Sequence, residues 1–186
     1  MFWLKKTAPE DPLAVSMSGV KLGDRLLVLG CGDGGLVAEL ARKSGLTGSA
    51  YALDEDSART ERAGQFAERD GALVEALTAP WTELPLDAAA FDVVVIRDAL
   101  AAIELHRRAA MLAEVLRVLR PGGRCVVIEG GRRGGLGALF QGRTVNAEYT
   151  SSGGAQRALS AAGFRATRTI AERAGMVFVE GVKPAA

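Results

Sequence analysis

The stretch Leu26–Gly35 has the sequence Leu-Leu-Val-Leu-Gly-Cys-Gly-Asp-Gly-Gly. Its four consecutive aliphatic residues predict a strand that is buried on both faces, as in a parallel sheet. Glycines follow at Gly30, Gly32 and Gly34, and the apolar periodicity of a helix begins at Leu36. This order brings the backbone close to a ligand, because glycine has no Cβ and the first N–H groups of a helix lack partners. We therefore predict a nucleotide-cofactor site at the glycine turn.

The composition of the whole chain limits the function classes. The chain has 186 residues, of which 48% are apolar, and a formal net charge of +1. It is long enough for one domain with a sizeable core, and its composition indicates neither disorder nor general attraction to nucleic acid. Two cysteines and one histidine are too few for a disulfide scaffold or a protein-built metal site. No apolar run approaches the ~20 residues of a membrane span, and the first residues do not resemble a signal peptide, so we expect a soluble cytoplasmic protein.

Apolar patterns along the chain predict strands that alternate with helices. The expected strands are Arg25–Leu29, Ala50–Leu53, Ala72–Leu77, Phe91–Ile96, Arg124–Glu129, Phe164–Ile170 and Met176–Val182. Five helices are expected. The first is short and lies near Leu13–Met17, the second runs from Leu36 to about Gly45, and the third is capped by Ser57. The fourth has Leu112, Val115, Leu116 and Leu119 on one face and stops at Pro121, and the fifth is capped by Ser151 or Ser152 and ended by Gly163. The alternation predicts an α/β fold with a doubly wound, mostly parallel seven-stranded sheet. Because only Ala171–Gly175 separates the last two strands, they must form an antiparallel hairpin.

We expect one domain over residues 21–186, preceded by an N-terminal arm over residues 1–20. In the arm, Phe2 and Trp3 stand beside Lys5 and Lys6. They either dock on a membrane surface or a partner, or fold over the apolar surface of the domain itself. The segment Gly130–Thr150 is rich in glycine and arginine and has no period, so it is expected to be a mobile loop.

Two templates fit the glycine turn. Gly30–Gly35 satisfies G-x-G-x-x-G, with Asp54 about 20 residues further on, as in dinucleotide sites. The wider chain instead resembles the class I S-adenosylmethionine-dependent methyltransferases, in five features that follow one another along the chain. These are Leu-Gly-Cys-Gly-Asp-Gly (residues 29–34), Tyr-Ala-Leu-Asp (51–54), Glu-Leu-Pro-Leu-Asp (83–87) ahead of Phe91, Leu-Arg-Val-Leu-Arg-Pro-Gly-Gly (116–123), and the C-terminal hairpin. The resemblance covers residues 20–183 and is closest to the small-molecule branch of that family.

The resemblance implies a Rossmann-like methyltransferase fold with S-adenosylmethionine as cofactor. The positions that it implies for cofactor binding are Gly30, Cys31, Gly32, Gly34, Asp54, Glu55, Trp81 and Arg97. Asp54 is expected to accept hydrogen bonds from both ribose hydroxyls, since a carboxylate has lone pairs for two such bonds. Glu55 points either toward the adenine or into water, and Trp81 either covers the adenine edge or packs into the core.

Two positions depart from the family pattern. Val28 stands where the first motif usually has an acid that helps to hold the ammonium group of the cofactor. Pro80 stands where many relatives have an acid that contacts the adenine amino group. These changes weaken the expectation of tight cofactor binding, but not that of the fold.

The favoured function is an enzyme that transfers the sulfonium methyl group in line to a small-molecule acceptor, mainly by positioning the reactants. If the acceptor is an oxygen or a thiol, Asp98 at the end of the fourth strand is the best candidate for a base. Because Ile-Arg-Asp-Ala follows that strand, and not an Asn-Pro-Pro-Tyr-like run, methyl transfer to base amino groups is disfavoured. The alternatives are a non-catalytic S-adenosylmethionine-binding regulatory or scaffold domain and, less favoured, an NAD-dependent oxidoreductase. Arsenic species, quinones, small acids and lipids all remain possible acceptors.

Several other residues have simpler interpretations. Cys31 is expected to serve packing and not to act as a nucleophile. His106 lies in the charged run His-Arg-Arg and is expected at the surface. Arg132, Arg133 and Arg143 either attract an anionic substrate or are simply solvated.

Overall fold

The computed structural model describes residues 12–130 and 147–185, so most of the expected arm and most of the expected loop over Gly130–Thr150 lie outside the described residues. The helices are α1 Pro12–Met17, α2 Gly35–Ser44, α3 Ser57–Arg69, a 3₁₀ helix Leu100–Ala102, α4 Leu105–Val118, α5 Ala147–Ser151 and α6 Gly154–Ala162. The strands are β1 Arg25–Leu29, β2 Ser49–Asp54, β3 Glu75–Thr78, β4 Phe91–Arg97, β5 Leu119–Gly130, β6 Arg165–Arg173 and β7 Met176–Val182. Within these ranges no helix has the length and apolar character needed to cross a lipid bilayer.

The seven strands form one sheet in the order β3-β2-β1-β4-β5-β7-β6. The strands β1 to β5 pair in parallel, whereas β7 pairs antiparallel with both β5 and β6. The predicted α/β class and C-terminal hairpin are therefore confirmed. The strand order reverses between β1 and β4, and open α/β sheets bind ligands beyond the carboxyl ends of the strands at such a point.

The two faces of the sheet are covered by different helices. One apolar layer joins the sheet to α1, α2 and α3, and the other joins it to α4, α5 and α6. The stretch Leu26–Leu29 is at most 1% exposed, because its side chains point alternately into the two layers. The prediction of a strand buried on both faces is confirmed.

The end of α4 differs from the prediction. The helix ends at Val118, and Leu119 already belongs to β5, where it pairs with Phe91. The register then shifts before Arg124 pairs with Val93. Proline disfavours helical conformation in the residue before it and cannot donate a backbone hydrogen bond, so the helix stops ahead of Pro121 and not at it.

Two predicted helix caps are wrong. Asp56, and not Ser57, caps α3, because its side chain accepts a hydrogen bond from the backbone N–H of Ala58 at 2.9 Å. The cap of α6 is Gly153 in the left-handed conformation, with φ +101°. Neither predicted serine serves there, since Ser151 ends α5 and the hydroxyl of Ser152 donates to a backbone carbonyl.

The predicted bounds of β3 and β6 are also displaced. The N–H of Ala72 donates to Ala67 at the end of α3, and that of Phe164 donates to Leu159 at the end of α6. Both residues are predicted to begin strands, but in the structure each is hydrogen-bonded to the last turn of the preceding helix. The hairpin turn is shorter than expected, since only Ala174 and Gly175 separate β6 from β7.

Candidate functional site

The glycine turn after β1 lies at the carboxyl edge of the sheet, and its three glycines have different surroundings. A Cβ at Gly30 would clash with the carbonyl oxygen of Arg97, and one at Gly34 would lie 2.6 Å from the Cα of Ala63. A Cβ at Gly32, where φ is +60°, would meet no atom within 4 Å. Gly30 and Gly34 are therefore required by neighbouring backbone, and Gly32 is the glycine that faces open space.

The carboxylate of Asp54 ends β2 beside this turn, and the residue is 1% exposed. Its Oδ1 accepts a hydrogen bond from the N–H of Asp56 at 3.2 Å. Its Oδ2 lies 3.7 Å from Nη1 of Arg59 and 3.9 Å from Sγ of Cys31, both long contacts. This oxygen keeps capacity to accept a shorter hydrogen bond from a ligand.

Cys31 is 4% exposed. Burial, and next the negative charge of Asp54, raise the pKa of its thiol to about 12. The thiol therefore stays protonated at neutral pH and is a poor nucleophile, in keeping with the predicted packing role.

Glu55 points away from Asp54, toward the loop after β3 and toward α4. Its Oε1 accepts a hydrogen bond from the N–H of Trp81 at 3.1 Å and forms an ion pair with Arg107. The sequence left open whether this side chain faces the adenine or water. In the structure, two donors hold the carboxylate, the N–H of Trp81 after β3 and the guanidinium of Arg107 on α4.

The indole ring of Trp81 packs into the apolar layer on the α4 side and is 5% exposed. Of the two possibilities that the sequence left open, the structure therefore shows that Trp81 packs into the core. Its Nε1 is nevertheless buried with no hydrogen-bond partner among the described residues. A buried donor without a partner costs about 1–3 kcal/mol, which makes this atom unusual in a native core.

Arg97 and Asp98 follow each other at the carboxyl end of β4. Asp98 adopts φ +51°, a conformation that is uncommon for a residue other than glycine and is typical of strained functional segments. Its Oδ1 accepts from the N–H of Gly130 at 3.0 Å, and its Oδ2 accepts from Nε of Arg97, also at 3.0 Å. Each oxygen of the predicted base therefore accepts one hydrogen bond and keeps a second lone pair.

The sequence analysis missed a cluster next to this pair, formed by Glu129 on β5, Tyr149 on α5 and Arg108 on α4. The hydroxyl of Tyr149 donates to Oε1 of Glu129 at 2.9 Å, and the guanidinium of Arg108 lies 4.3 Å from the centre of the Tyr149 ring. Arg108 also donates to the carbonyls of Leu100 and Ile103, at 2.9 and 2.8 Å. The expected loop over residues 147–150 is therefore wrong, because α5 places Tyr149 in this buried cluster.

Burial shifts the ionisation of the cluster. It raises the pKa of Glu129, and the negative charge of Asp98 adds to this, against the opposing effects of Tyr149 and Arg108. Burial and the nearby Glu129 also raise the pKa of Tyr149. Glu129 is only partly buried at the carboxyl end of β5. Its carboxyl is therefore a second group, besides that of Asp98, that is able to exchange a proton at this end of the sheet.

One sequence signal could have found Arg108. It lies three, four and seven residues before Met111, Leu112 and Val115, on the apolar stripe of α4. His106 in the same charged run is 76% exposed and lies at the surface, as predicted.

We also looked for a metal site and for a second ligand cavity in the described residues. Over residues 12–130 and 147–185, no group of three or more His, Cys, Asp or Glu side chains could hold a metal ion. A cavity of about 570 Å³ lies between α4 and the C-terminal residues. Its charged side chains are already engaged, Lys183 with the carbonyl of Leu119 and Arg117 with Glu114.

Residues 26–123 match the sequence profile described as "Methyltransferase domain". The 2-phytyl-1,4-beta-naphthoquinone methyltransferase of Arabidopsis thaliana is 34% identical over 121 residues, which is 63% of this chain and 46% of that protein. The ubiquinone/menaquinone biosynthesis C-methyltransferase UbiE of Idiomarina loihiensis is 33% identical over 118 residues, 62% of this chain and 46% of that protein. The chain thus spans about half the length of the curated relatives it matches.

A solved structure has the same fold. The crystal structure of a SAM dependent methyltransferase from Aquifex aeolicus superposes with a TM-score of 0.75 at 21% identity, covering 94% of this chain and 89% of the other. At this identity the likeness concerns the fold alone.

Proposed function

Because the chain belongs to the methyltransferase domain family, we propose that it is an S-adenosylmethionine-dependent methyltransferase with a small-molecule acceptor. The observation that carries the proposal lies at the carboxyl ends of β1 and β2, where Gly32 faces open space and Sγ of the preceding Cys31 lies 3.9 Å from Oδ2 of Asp54. S-adenosylmethionine contains a ribose diol and an amino-acid tail but no phosphate. A site for it needs close backbone approach and a hydrogen-bond acceptor for the diol, and this edge offers both.

Different residues are proposed to bind different parts of the cofactor. The backbone around Gly32 admits the sugar and the tail, and Oδ2 of Asp54 accepts a hydrogen bond from the ribose. Gly30, Gly34 and Cys31 keep the turn in shape. When bound, the cofactor supplies a methyl group that is already activated on sulfur, so the chain has mainly to hold the acceptor in line and exclude water, which contributes up to about 7–11 kcal/mol.

The acceptor end is proposed at the carboxyl ends of β4 and β5. Asp98 and Glu129 lie there on neighbouring strands, since the N–H of Gly130 donates to Asp98. A proton acceptor works best when its pKa lies near the operating pH. The raised pKa of Glu129 therefore makes it a second candidate beside Asp98 for taking the proton of the acceptor.

We infer that the acceptor belongs to the quinol class, on the support of the relatives' names. One relative is named as a methyltransferase of a phytyl naphthoquinone, and the other as a C-methyltransferase of ubiquinone and menaquinone biosynthesis. Methyl transfer to a ring carbon requires removal of a proton, which fits an edge with two carboxyl groups.

Titration calorimetry tests the cofactor first. We expect S-adenosylhomocysteine to bind and NAD not to bind at comparable concentration; the reverse preference would overturn the proposal. Transfer of radiolabelled methyl from S-adenosylmethionine to 1,4-naphthalenediol, the reduced form of 1,4-naphthoquinone, then tests the acceptor class. Absence of label in that diol while S-adenosylhomocysteine binds rejects the quinol class and keeps the cofactor.

Asp54→Ala is expected to weaken S-adenosylhomocysteine binding by about 1.5–3 kcal/mol, as for loss of hydrogen bonds to a charged group. Asp56→Asn is the matched control, because Asn caps a helix as well as Asp does and Asp56 is the cap of α3. It should leave the affinity unchanged. Equal affinity of Asp54→Ala and the wild type would show that Asp54 does not contact the ligand.

A further inference from the structure

The side chain of Tyr149 is held in place at both of its ends. Its hydroxyl donates to Oε1 of Glu129 at 2.9 Å, and the residue is 4% exposed. The guanidinium of Arg108 lies 4.3 Å from the centre of its ring. Arg108 is itself anchored, because it donates to the carbonyls of Leu100 and Ile103. The hydroxyl is therefore kept at the carboxyl group of Glu129.

Three further groups act on the carboxyl of Glu129. The N–H of Ala101 in the 3₁₀ helix forms a hydrogen bond with it, Asp98 after β4 repels its negative charge, and Arg108 on α4 attracts that charge. Burial has the largest effect on the pKa of this carboxyl and opposes its ionisation. A hydrogen bond from Tyr149 favours the ionised form instead. Because only the ionised form is able to accept a proton, this donor extends the proton-accepting state to lower pH.

The ring and the hydroxyl of Tyr149 have separable roles. The ring supplies the apolar contacts of α5 with the buried layer and the contact with Arg108. A phenylalanine ring has the same shape and supplies the same contacts. What the hydroxyl adds is the hydrogen bond to Glu129, so the phenol acts on the carboxyl.

We propose that Tyr149 is a positioning residue whose hydroxyl fixes the carboxylate of Glu129 for taking a proton from the methyl acceptor. In the reaction, the ring carbon of the acceptor forms a bond to the methyl group. The bond between that methyl group and the cofactor sulfur breaks, and its electron pair stays on sulfur. The proton that the ring carbon loses passes to Glu129, which later releases it to water. The inference rests on the proposed function, because Glu129 acts there on the acceptor.

Carbon-13 NMR of protein labelled at the glutamate carboxyl carbon measures the pH midpoint at which Glu129 ionises, and Glu129→Gln identifies its signal. Tyr149→Phe keeps the ring and loses only the hydroxyl. Its midpoint is expected to rise by about one to two pH units, the equivalent of one hydrogen bond to a charged group. Tyr51→Phe is the matched control, because Tyr51 is the other tyrosine of the chain and packs against Phe91. It should leave the midpoint unchanged.

Transfer of methyl to 1,4-naphthalenediol in the absence of oxygen, measured over the same pH range, is the functional readout. The acid limb of kcat/KM is expected to move upward with the Glu129 midpoint. Tyr149→Phe should then lose about 10- to 100-fold in kcat/KM at the acid end, and should regain most of it where the carboxyl is ionised. A change in packing alone would lower kcat/KM by the same factor at every pH.

A folded Tyr149→Phe variant whose Glu129 midpoint equals that of the wild type contradicts the inference alone. A uniform loss of kcat/KM, or an acid limb that stays in place, also overturns it while leaving the methyltransferase activity established. Absence of transfer by the wild type contradicts the proposed acceptor class, and with it this inference.

A measurement on the wild type applies even if Tyr149→Phe does not fold. Tyrosine labelled with carbon-13 at Cζ gives two signals, since the chain has two tyrosines, and Tyr51→Phe identifies that of Tyr149. This signal is expected to shift at the pH where Glu129 ionises, because the hydrogen bond between the two groups changes there. A Tyr149 signal that stays constant through this pH contradicts the inference.

Discussion

Gly32 and Gly71 have nearly the same backbone conformation, with φ +60° and +68°, and a Cβ at either would meet nothing within 4 Å. They differ in place, since Gly32 lies at the carboxyl edge of the sheet and Gly71 follows α3 at the opposite edge. Asn tolerates the left-handed conformation better than other side chains do. The pair therefore separates the effect of filling a ligand site from the effect of changing a glycine.

Gly32→Asn is expected to abolish measurable S-adenosylhomocysteine binding, because its side chain enters the space proposed for the sugar and the tail. Gly71→Asn is expected to bind like the wild type. Both variants should keep similar unfolding midpoints in urea. If Gly32→Asn binds normally, the open space beside the turn does not hold the ligand.

The sequence spacing predicts the glycine turn correctly, but it does not show why each position of the turn requires glycine. Gly30 is required because the carbonyl of Arg97 approaches it, and Gly34 because Ala63 of α3 does. Both neighbours are distant in the chain, so no local pattern reveals them. The same holds for Asp98, whose positive φ arises where its carboxylate accepts the N–H of Gly130.

At the scale of elements, α4 presents two consecutive arginines to different surroundings. The side chain of Arg107 is 38% exposed and pairs with Glu55. Arg108 is 6% exposed and donates to the carbonyls of Leu100, which begins the 3₁₀ helix, and of Ile103, which follows it.

Arg108→Met is expected to lower the free energy of unfolding by about 2–4 kcal/mol, since it leaves two buried carbonyls without partners. Arg107→Met, one position earlier, is expected to change it by about 0.5 kcal/mol or less. Urea denaturation of the two variants measures both values. Equal losses would mean that the contacts of Arg108 are not formed.

The raised pKa of Glu129 makes stability depend on pH in a defined direction. A carboxyl whose pKa is higher in the folded protein favours folding below its ordinary pKa of 4.5, and this contribution is lost as the pH rises through the folded value. Asp98, Arg108 and Tyr149 are the charged or titratable groups that act on it.

Relative to Glu129→Gln, the wild type is therefore expected to be more stable at pH 4 than at pH 7. The difference in unfolding free energy between the two proteins, measured by urea denaturation at several pH values, isolates this carboxyl from the others. A difference that stays constant, or that grows in favour of the wild type toward neutral pH, contradicts the expectation.

Elements with a strong apolar pattern were predicted from the sequence, and those held by distant contacts were not. The bounds of β1 and β7 agree with the prediction, because each has an uninterrupted or alternating apolar run. The short helix α5 has no such run. Its formation depends on the contacts of Tyr149 with Glu129 and Arg108, two residues on other elements.

At the scale of the molecule, the candidate site is assembled from the ends of four strands. Gly32 and Asp98 follow β1 and β4, Asp54 ends β2, and Glu129 is the last residue but one of β5. No continuous part of the chain contains the site, so a ligand that binds there stabilises the whole fold against unfolding.

S-adenosylhomocysteine at about 100 times its dissociation constant is expected to raise the unfolding free energy by about 2.7 kcal/mol. For a chain of this size, this corresponds to an increase of roughly 5–10 °C in the unfolding temperature. Differential scanning calorimetry measures the shift, and NAD at the same concentration is the control. A shift confined to part of the unfolding transition would mean that the site involves only part of the fold.

The outermost strands have a further consequence, for the behaviour of the protein at high concentration. A long, flat, uncharged border strand is a template on which other chains can add and form aggregates. Here one border, β3, has only four residues. The other, β6, bears Arg165, Arg168 and Arg173 and is bent by two register shifts against β7. Neither border offers a regular row of unpaired amides, so the sheet is protected from growth by strand addition.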